Sequence, residues 1–302
     1  MKVRVEVPAT VANLGPGFDS VGLAVDMATV VEVELTGGQI VVENRGAWAD
    51  ALADAPTDET NLLARAFLAA VGGEAPEGVR FVQDLQAPVG RGFGSSAAAI
   101  VAGIVAADAL GLCAPDTDLL GLAVALEGHP DNVSPCLLGG ITATAGETTI
   151  RIAPPTDWVS LLAVAPAAEG TMESRTRLPD TYPRREVAGQ AARAALLGFA
   201  LGTGDLDALF EGTEDMMHQP TRFAALPESA QMVKEWREVG VAAFLSGAGP
   251  SIAAIVSKAD AEDLADRFAA SAPAGWDVRA CPLRTQGARA LPAEARSPTG
   301  LS

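Results

Sequence analysis

Val3, Val5 and Val7 alternate with Lys2, Arg4 and Glu6 at the start of the chain. That period of two predicts a strand with one buried face. Residues 21–35 are rich in valine and predict one or two further strands. Residues 60–71 space their apolar side chains as a helix does, and residues 79–85 alternate again as a strand. A glycine-rich loop over 88–94 precedes a long apolar helix that opens at Ser95 or Ser96 and runs to about Leu110. Asp116 or Thr117 can cap a second helix ending near Glu127, and residues 136–152 read as paired strands.

Pro154-Pro155 punctuates the chain and marks the expected domain boundary, giving domains over 1–155 and 156–285. Residues 286–302, rich in Ala, Pro, Gly and Ser, are expected to form a loose tail. In the second domain the pattern predicts strands over 158–165, 241–246, 251–257 and 276–282, with helices over 186–201, 205–217, 227–238 and 260–270. With the extra helices set aside the order is β-α-β-β-α-β, a ferredoxin-like pattern, so the expected class is α+β in two domains.

Composition narrows the function. The chain has 302 residues, enough for two domains, and its 49% hydrophobic and 20% charged residues exclude a disordered chain. A formal net charge of −17 works against binding to DNA or RNA phosphates and to anionic membranes. The same field repels ATP, so a nucleotide site here needs local N–H donors and a cation. Cys113, Cys136 and Cys281 are odd in number and lack CxxC spacing, which predicts buried thiols in a reducing compartment rather than disulfides or a zinc cluster. The N-terminus lacks the apolar stretch of a signal peptide, and no uncharged run reaches the ~18 residues of a membrane span. A cytoplasmic enzyme is expected.

The most informative segment is Pro88-Val89-Gly90-Arg91-Gly92-Phe93-Gly94-Ser95-Ser96-Ala97. Alternating glycines permit tight turns with no Cβ in the way, so backbone N–H groups can face a phosphate. The helix that follows points its positive end at the same place, and the serine hydroxyls can donate to phosphate or ligate Mg²⁺. The segment lacks the Gly-Lys-Ser/Thr ending of a Walker A loop and the spacing of a dinucleotide fingerprint.

This segment resembles the second motif of the GHMP kinases, Pro-x-Gly-x-Gly-Leu-Gly-Ser-Ser-Ala, with Phe93 in place of the usual Leu. Residues 8–19, which include Asn13, Gly17, Phe18 and Asp19, resemble the first motif. Ser246-Gly247-Ala248-Gly249-Pro250-Ser251 resembles the third. The resemblance spans nearly the whole chain. It implies a left-handed βαβ N-terminal domain that binds ATP, and a ferredoxin-like C-terminal domain. Within the family, the Gly-Phe-Asp form of the first motif, the segment from Glu127 through His129, Asp131 and Asn132, the Arg-x-x-Leu-Pro element at Arg175 and a similar element at Arg222, with one more residue before its proline, resemble the homoserine kinases. The Glu127–His129 spacing is shorter here than in many members.

That resemblance implies phosphorylation of L-homoserine by ATP and Mg²⁺ in threonine biosynthesis, and a possible homodimer. It implies that residues 88–97 with Ser246, Gly247 and Gly249 bind ATP, and that Ser96 and Glu127 ligate the metal. Arg175 and Arg222 would grip the substrate carboxylate, Asp19 would take its ammonium, and Asn13, Asn132 and His129 would hydrogen-bond it. Asp19 and Glu127 are the catalytic candidates. Asp19 is assigned first to substrate binding and second to a general-base role, since the loose transition state of phosphoryl transfer needs little prior deprotonation. His218 has no motif around it and is expected to be structural. Two alternatives stay open: a GHMP kinase acting on mevalonate, shikimate or a diphosphocytidyl sugar alcohol, and a non-catalytic metabolite sensor on the same fold.

Overall fold

The computed structural model describes residues 1–72, 76, 78–168 and 175–292. The valine alternation becomes strand β1 (Lys2–Ala12), paired antiparallel along its length with β2 (Val21–Leu35). The register slips at Pro8/Ala9, so residues on the two sides of the irregularity serve different cores. The sheet continues through β4 (Val79–Leu85) to β3 (Val41–Arg45), a parallel neighbour of β4, and β5 (Ile141–Ala145) and β6 (Thr148–Ile152) extend it from β2.

Four helices cover one face: α1 (Leu62–Val71), α2 (Ser95–Ala109), α3 (Leu119–Glu127) and α4 (Pro130–Leu138). Helix α2 is buried almost all round, and small residues let α1 approach it closely. A Cβ on Gly103 would lie 2.5 Å from the Leu63 carbonyl oxygen. The cap of α3 is Asp118, whose Oδ1 accepts from Gly121 N at 3.0 Å, rather than Asp116 or Thr117. Helix α4 corrects the expectation of strand from residue 136. Pro130 sits at its first turn, where a missing N–H costs nothing, and Gly139 ends it, so strand pairing begins only at Ile141.

The chain leaves the first sheet after Ile152 and enters the second at Trp158. That sheet, β10-β7-β9-β8, consists of β7 (Trp158–Val164), β8 (Ala242–Leu245), β9 (Ile252–Ser257) and β10 (Asp277–Pro282), all antiparallel. This is the ferredoxin-like arrangement. Its helices are α8 (Pro227–Glu238) and α9 (Ala261–Ser271), and α5 (Arg184–Thr203), α6 (Leu206–Gly212) and α7 (Gln219–Phe223) are inserted before them. The helix expected over 205–217 is shorter and a new one follows, because Asp215 Oδ2 accepts from the backbone N of both His218 and Gln219 and starts a fresh turn.

Both faces of β7 are buried. Trp158, Leu162 and Val164 join the core between the two sheets, while Leu161 and Ala163 join the core under α8 and α9. The central core also takes Ala9 and Val11 from β1 and Phe93 from the glycine-rich loop, so the loop is anchored where the sheets meet.

The expected loose tail from 286 is corrected in part. Strand β11 (Arg289–Leu291) pairs with β1, and Ala288 N donates to Cys136 O at 2.8 Å. Arg284 and Arg289 both reach Glu6, and together these contacts give the low-complexity segment a charged anchor that its composition hides. Residues 293–302 lie outside the described ones. The three cysteines are free, and Cys113 is half-buried rather than buried.

Candidate active site

Gly90, Gly92 and Gly94 all have positive φ, at 69°, 89° and 66°. Two of them also lack room for a side chain. A Cβ on Gly92 would lie 2.3 Å from Ser246 O, and one on Gly94 would lie 2.1 Å from Thr10 Oγ1. The sequence therefore needs glycine twice over, for conformation and for close approach. The loop is tied down by Ser246 Oγ donating to Gly92 O at 2.6 Å, Thr10 N to Phe93 O at 3.2 Å and Gly90 N to Ser95 Oγ at 3.2 Å.

The three motifs interlock around this loop. Gly247 N donates to Ala12 O at 3.2 Å, and Asn13 Nδ2 donates to Gly247 O at 2.9 Å. Asn13 Oδ1 accepts from Asp19 N at 3.0 Å, which holds together a turn in which Asn13, Leu14 and Asp19 all have positive φ. Asn132 Oδ1 accepts from Thr10 Oγ1 at 2.7 Å and its Nδ2 lies 3.3 Å from Asp131 Oδ1. Asn13 and Asn132 thus brace the cleft in this structure.

At the first turn of α2, Ser96 Oγ donates to Glu127 Oε1 at 2.7 Å. Burial raises the Glu127 carboxyl above its ordinary range, and the Ser96 bond opposes that. One hydroxyl and one carboxylate beside a helix N-terminus suit a small oxygen-seeking cation that keeps several waters and takes one or two protein ligands. Among the described residues there is no cluster of three or more acidic, histidine or cysteine ligands.

A cavity of about 250 Å³ opens beside the same turn, lined by Leu52, Leu62, Leu85, Val89, Phe93 and Ala99 among others. Its amides are already engaged: Gln83 Nε2 donates to Asn44 Oδ1, and Asn61 Nδ2 donates to Pro56 O. A flat apolar ring would find packing there rather than hydrogen bonds. Sequence reading missed this cavity, because its walls come from segments far apart in the chain.

On the other side of the loop lies a charged group. Arg175 forms a two-pronged pair with Asp19, at 2.8 and 2.6 Å. Arg222, from α7, is buried and donates Nη1 to Gly247 O at 3.0 Å, while its Nε is buried with no partner among the described residues. Both guanidinium carbons lie 5.4 Å from the centre of the Phe18 ring. His129 Nδ1 is 3.3 Å from Asp131 Oδ1, without the angle of a hydrogen bond, and that carboxylate raises the imidazole pKa. Glu127 raises the His129 pKa further and the Arg175 charge lowers it. Asp131 and Phe18 were given no role of their own from sequence, and His218 was expected to be structural. Asp131 had a signal in its adjacency to Asn132, whereas the other two act through neighbours remote in sequence.

The model for the GHMP kinases N terminal domain matches residues 61–140, and that for GHMP kinases C terminal matches residues 194–274. A homoserine kinase of Streptomyces avermitilis is 42% identical over 96% of this chain and 96% of its own. The crystal structure of homoserine kinase from Cytophaga hutchinsonii superposes with a TM-score of 0.84 at 26% identity, covering 96% of this chain and 97% of that one. The Methanococcus jannaschii mevalonate kinase, at 14% identity and a TM-score of 0.66 over 94% and 98% of the two chains, shares the fold alone.

Proposed function

The chain belongs to the homoserine kinases of the GHMP superfamily, and from that premise we propose how its cleft divides the work. The reaction is ATP-dependent phosphorylation of the side-chain hydroxyl of L-homoserine, giving O-phospho-L-homoserine in threonine biosynthesis.

ATP lies with its phosphates over residues 88–97, where the positive-φ glycines and the start of α2 present N–H groups. The adenine enters the apolar cavity beside Phe93 and Ala99. Ser246, Gly247 and Gly249 close the loop from behind through the Ser246–Gly92 bond. Ser96 and Glu127 would hold Mg²⁺, which would supply charge neutralisation for the phosphates. Glu127 keeps that role despite the short spacing to His129, because the C-terminal end of α3 brings it within 2.7 Å of Ser96.

L-Homoserine enters by exchanging partners with the Asp19–Arg175 pair. Its ammonium goes to Asp19 and its carboxylate goes to Arg175 and Arg222. The two arginines repel each other, an effect that Asp19, Asp215 and Asp131 offset only in part, and a substrate carboxylate relieves it further. His129 and Asn132 then border the hydroxyl. Asp19 binds rather than deprotonates, because its two oxygens face a guanidinium or an ammonium. Catalysis is alignment of the hydroxyl with the γ-phosphorus and stabilisation of spread negative charge.

The observation that carries this reading is the adjacency of an N–H-lined phosphate cradle to an acid and two arginines with the charges of a zwitterion reversed. It sets mevalonate and shikimate aside, because neither offers an ammonium to Asp19. ADP release measured with MgATP and a panel of L-homoserine, mevalonate and shikimate tests it. Release with homoserine alone is expected, and turnover of mevalonate without homoserine would overturn it. No release with any of the three would return the chain to the sensor reading.

The ATP-binding portion is taken as residues 1–155 and the second domain as 156–285, with β11 returning to the first sheet. Three free thiols and an acidic surface support a cytoplasmic setting, where no nucleic acid or membrane partner is needed. Among the described residues no helix is long and apolar enough to cross a membrane. A homodimer is the proposed assembly, and light scattering on the pure protein would measure it.

A further inference from the structure

Arg222 Nη1, besides its bond to Gly247 O, meets His218 Nδ1 at 3.0 Å. A guanidinium has only donors, so His218 Nδ1 has to be the acceptor. The proton of the ring then sits on Nε2, which lies 2.9 Å from the carbonyl oxygen of Gly15, an acceptor. Two unrelated partners on opposite sides of the imidazole thus demand the same neutral tautomer. A charged ring would turn an N–H against an arginine N–H. The side chain is also fully buried, and burial lowers its pKa.

The ring itself is held firmly. Phe18 stacks on it with centroids 5.1 Å apart. Its backbone is fixed by buried Asp215, which also accepts from Gln190 Nε2 at 2.6 Å. The acceptor facing Arg222 therefore carries no net charge. A carboxylate in that place would orient the guanidinium and also neutralise it. A neutral nitrogen orients it and leaves its charge for something else, and the buried Nε, which has no partner among the described residues, is a donor that still awaits an acceptor.

We propose that His218 is a positioning residue for substrate recognition, holding Arg222 by a neutral acceptor so that the guanidinium keeps its charge and its unpartnered edge for the substrate carboxylate. This rests on the assignment of Arg222 to that carboxylate. The histidine expected from sequence to be merely structural thereby sets the specificity of the amino-acid half of the cleft.

The test uses His218→Gln and His218→Asn. Glutamine can keep a donor toward Gly15 but removes the acceptor from Arg222, whereas asparagine can place its oxygen near the position of Nδ1. His218→Gln is expected to raise KM for homoserine about tenfold or more and to leave KM for ATP within about twofold. His218→Asn should recover most of that loss. In an Arg222→Met background, His218→Gln should add nothing further.

If Arg222→Met alone leaves the homoserine KM unchanged, the assignment of Arg222 itself fails. If Arg222→Met raises it and His218→Gln does not, only the positioning role fails. Equal losses for the Asn and Gln variants, with both KM values shifted together, would mean packing alone and would also overturn it. Nitrogen-15 NMR of the unsubstituted protein at pH 7.5 gives a readout that needs no variant of His218. The chain has two histidines, so the His129→Asn spectrum identifies the His218 signals. A neutral ring protonated at Nε2 is expected, and a charged or Nδ1-protonated ring would overturn the proposal.

Discussion

The two halves of the cleft are built from different materials. The phosphate half is backbone: three glycines at positive φ, carbonyls pinned by Ser246 and Thr10, and the amino end of a buried helix. The amino-acid half is side chain: Asp19 from the first motif, with Arg175 and Arg222 from the second part of the chain. A backbone cradle keeps its shape without a ligand because nothing in it can turn away. The side chains instead pair with each other, Arg175 with Asp19. A site whose charges satisfy one another is selective in a way the cradle is not, since a ligand has to replace both partners at once.

The largest expected effect breaks the backbone half. In Gly92→Ala the added carbon meets Ser246 O at 2.3 Å in a left-handed conformation, so the loop has to shift. We expect kcat/KM to fall about a thousandfold, because phosphoryl transfer depends on positioned donors. Homoserine affinity by calorimetry should change less than about tenfold by comparison. Equal losses in both would mean that the halves are not separate constructions.

Next comes the joint between them. Glu127→Gln should lower turnover about a hundredfold, with partial recovery at high Mg²⁺. Without metal, burial holds the Glu127 carboxyl above the ordinary carboxylate range, so it takes up a proton as the pH falls while ordinary carboxyls are still ionised. Mg²⁺ affinity should therefore weaken as the pH falls, from above the ordinary carboxylate range, because proton and metal compete for the same oxygens, and that dependence should vanish in Glu127→Gln. The sign for stability is opposite. A raised folded pKa means that the ionised form is disfavoured in the fold, so without metal the variant should melt slightly higher at pH 7. A lower Tm would place Glu127 among the groups that hold the fold together.

The backbone half was largely legible in the sequence, because glycine spacing is itself the chemistry there. The strands of the second sheet were legible too, since β7, β8 and β9 carry continuous apolar runs between clear turn signals. Four features were not. Helix α4 was hidden by Pro130 and Pro135, residues that read as breakers unless one sits at a first turn. Strand β11 has three residues and an unremarkable composition, and is fixed by Glu6 at the far end of the chain. The Asp19–Arg175 pair joins residues 156 positions apart, and no local pattern reports such a contact. The left-handed turn at Asn13, Leu14 and Asp19 was also invisible, although it sets the direction of Asp19.

The side-chain half offers the next smaller effect. Arg175→Ala should raise KM for homoserine about thirtyfold and leave KM for ATP within about twofold. A two-pronged charged contact is lost, but Asp19 is freed at the same time, which offsets part of the cost of opening the pair. Arg175→Lys should not restore affinity, because an ammonium cannot match a carboxylate with two parallel bonds. If both KM values rose together, Arg175 would have to act on the phosphate half instead, and the contrast between the halves would be lost.

The smallest expected effect tests whether the phosphate half depends on side chains at all. Phe93 stands where the family motif usually carries leucine, and its ring is buried in the core between the sheets. Its contact within the cradle is a backbone one, the carbonyl that accepts from Thr10 N, and a leucine would keep the wall of the adenine cavity apolar. Phe93→Leu removes ring atoms from the core and leaves a small void, at a cost of about 1–2 kcal/mol that a Tm shift of a few degrees would report. The loop keeps its glycines and its pins to Ser246 and Thr10, so KM for ATP should stay within about twofold. A change of tenfold or more would mean that the ring, not the backbone, sets the shape of the cradle. Arginine and glycine variants on the two sides would then report one shared packing unit instead of two different kinds of site.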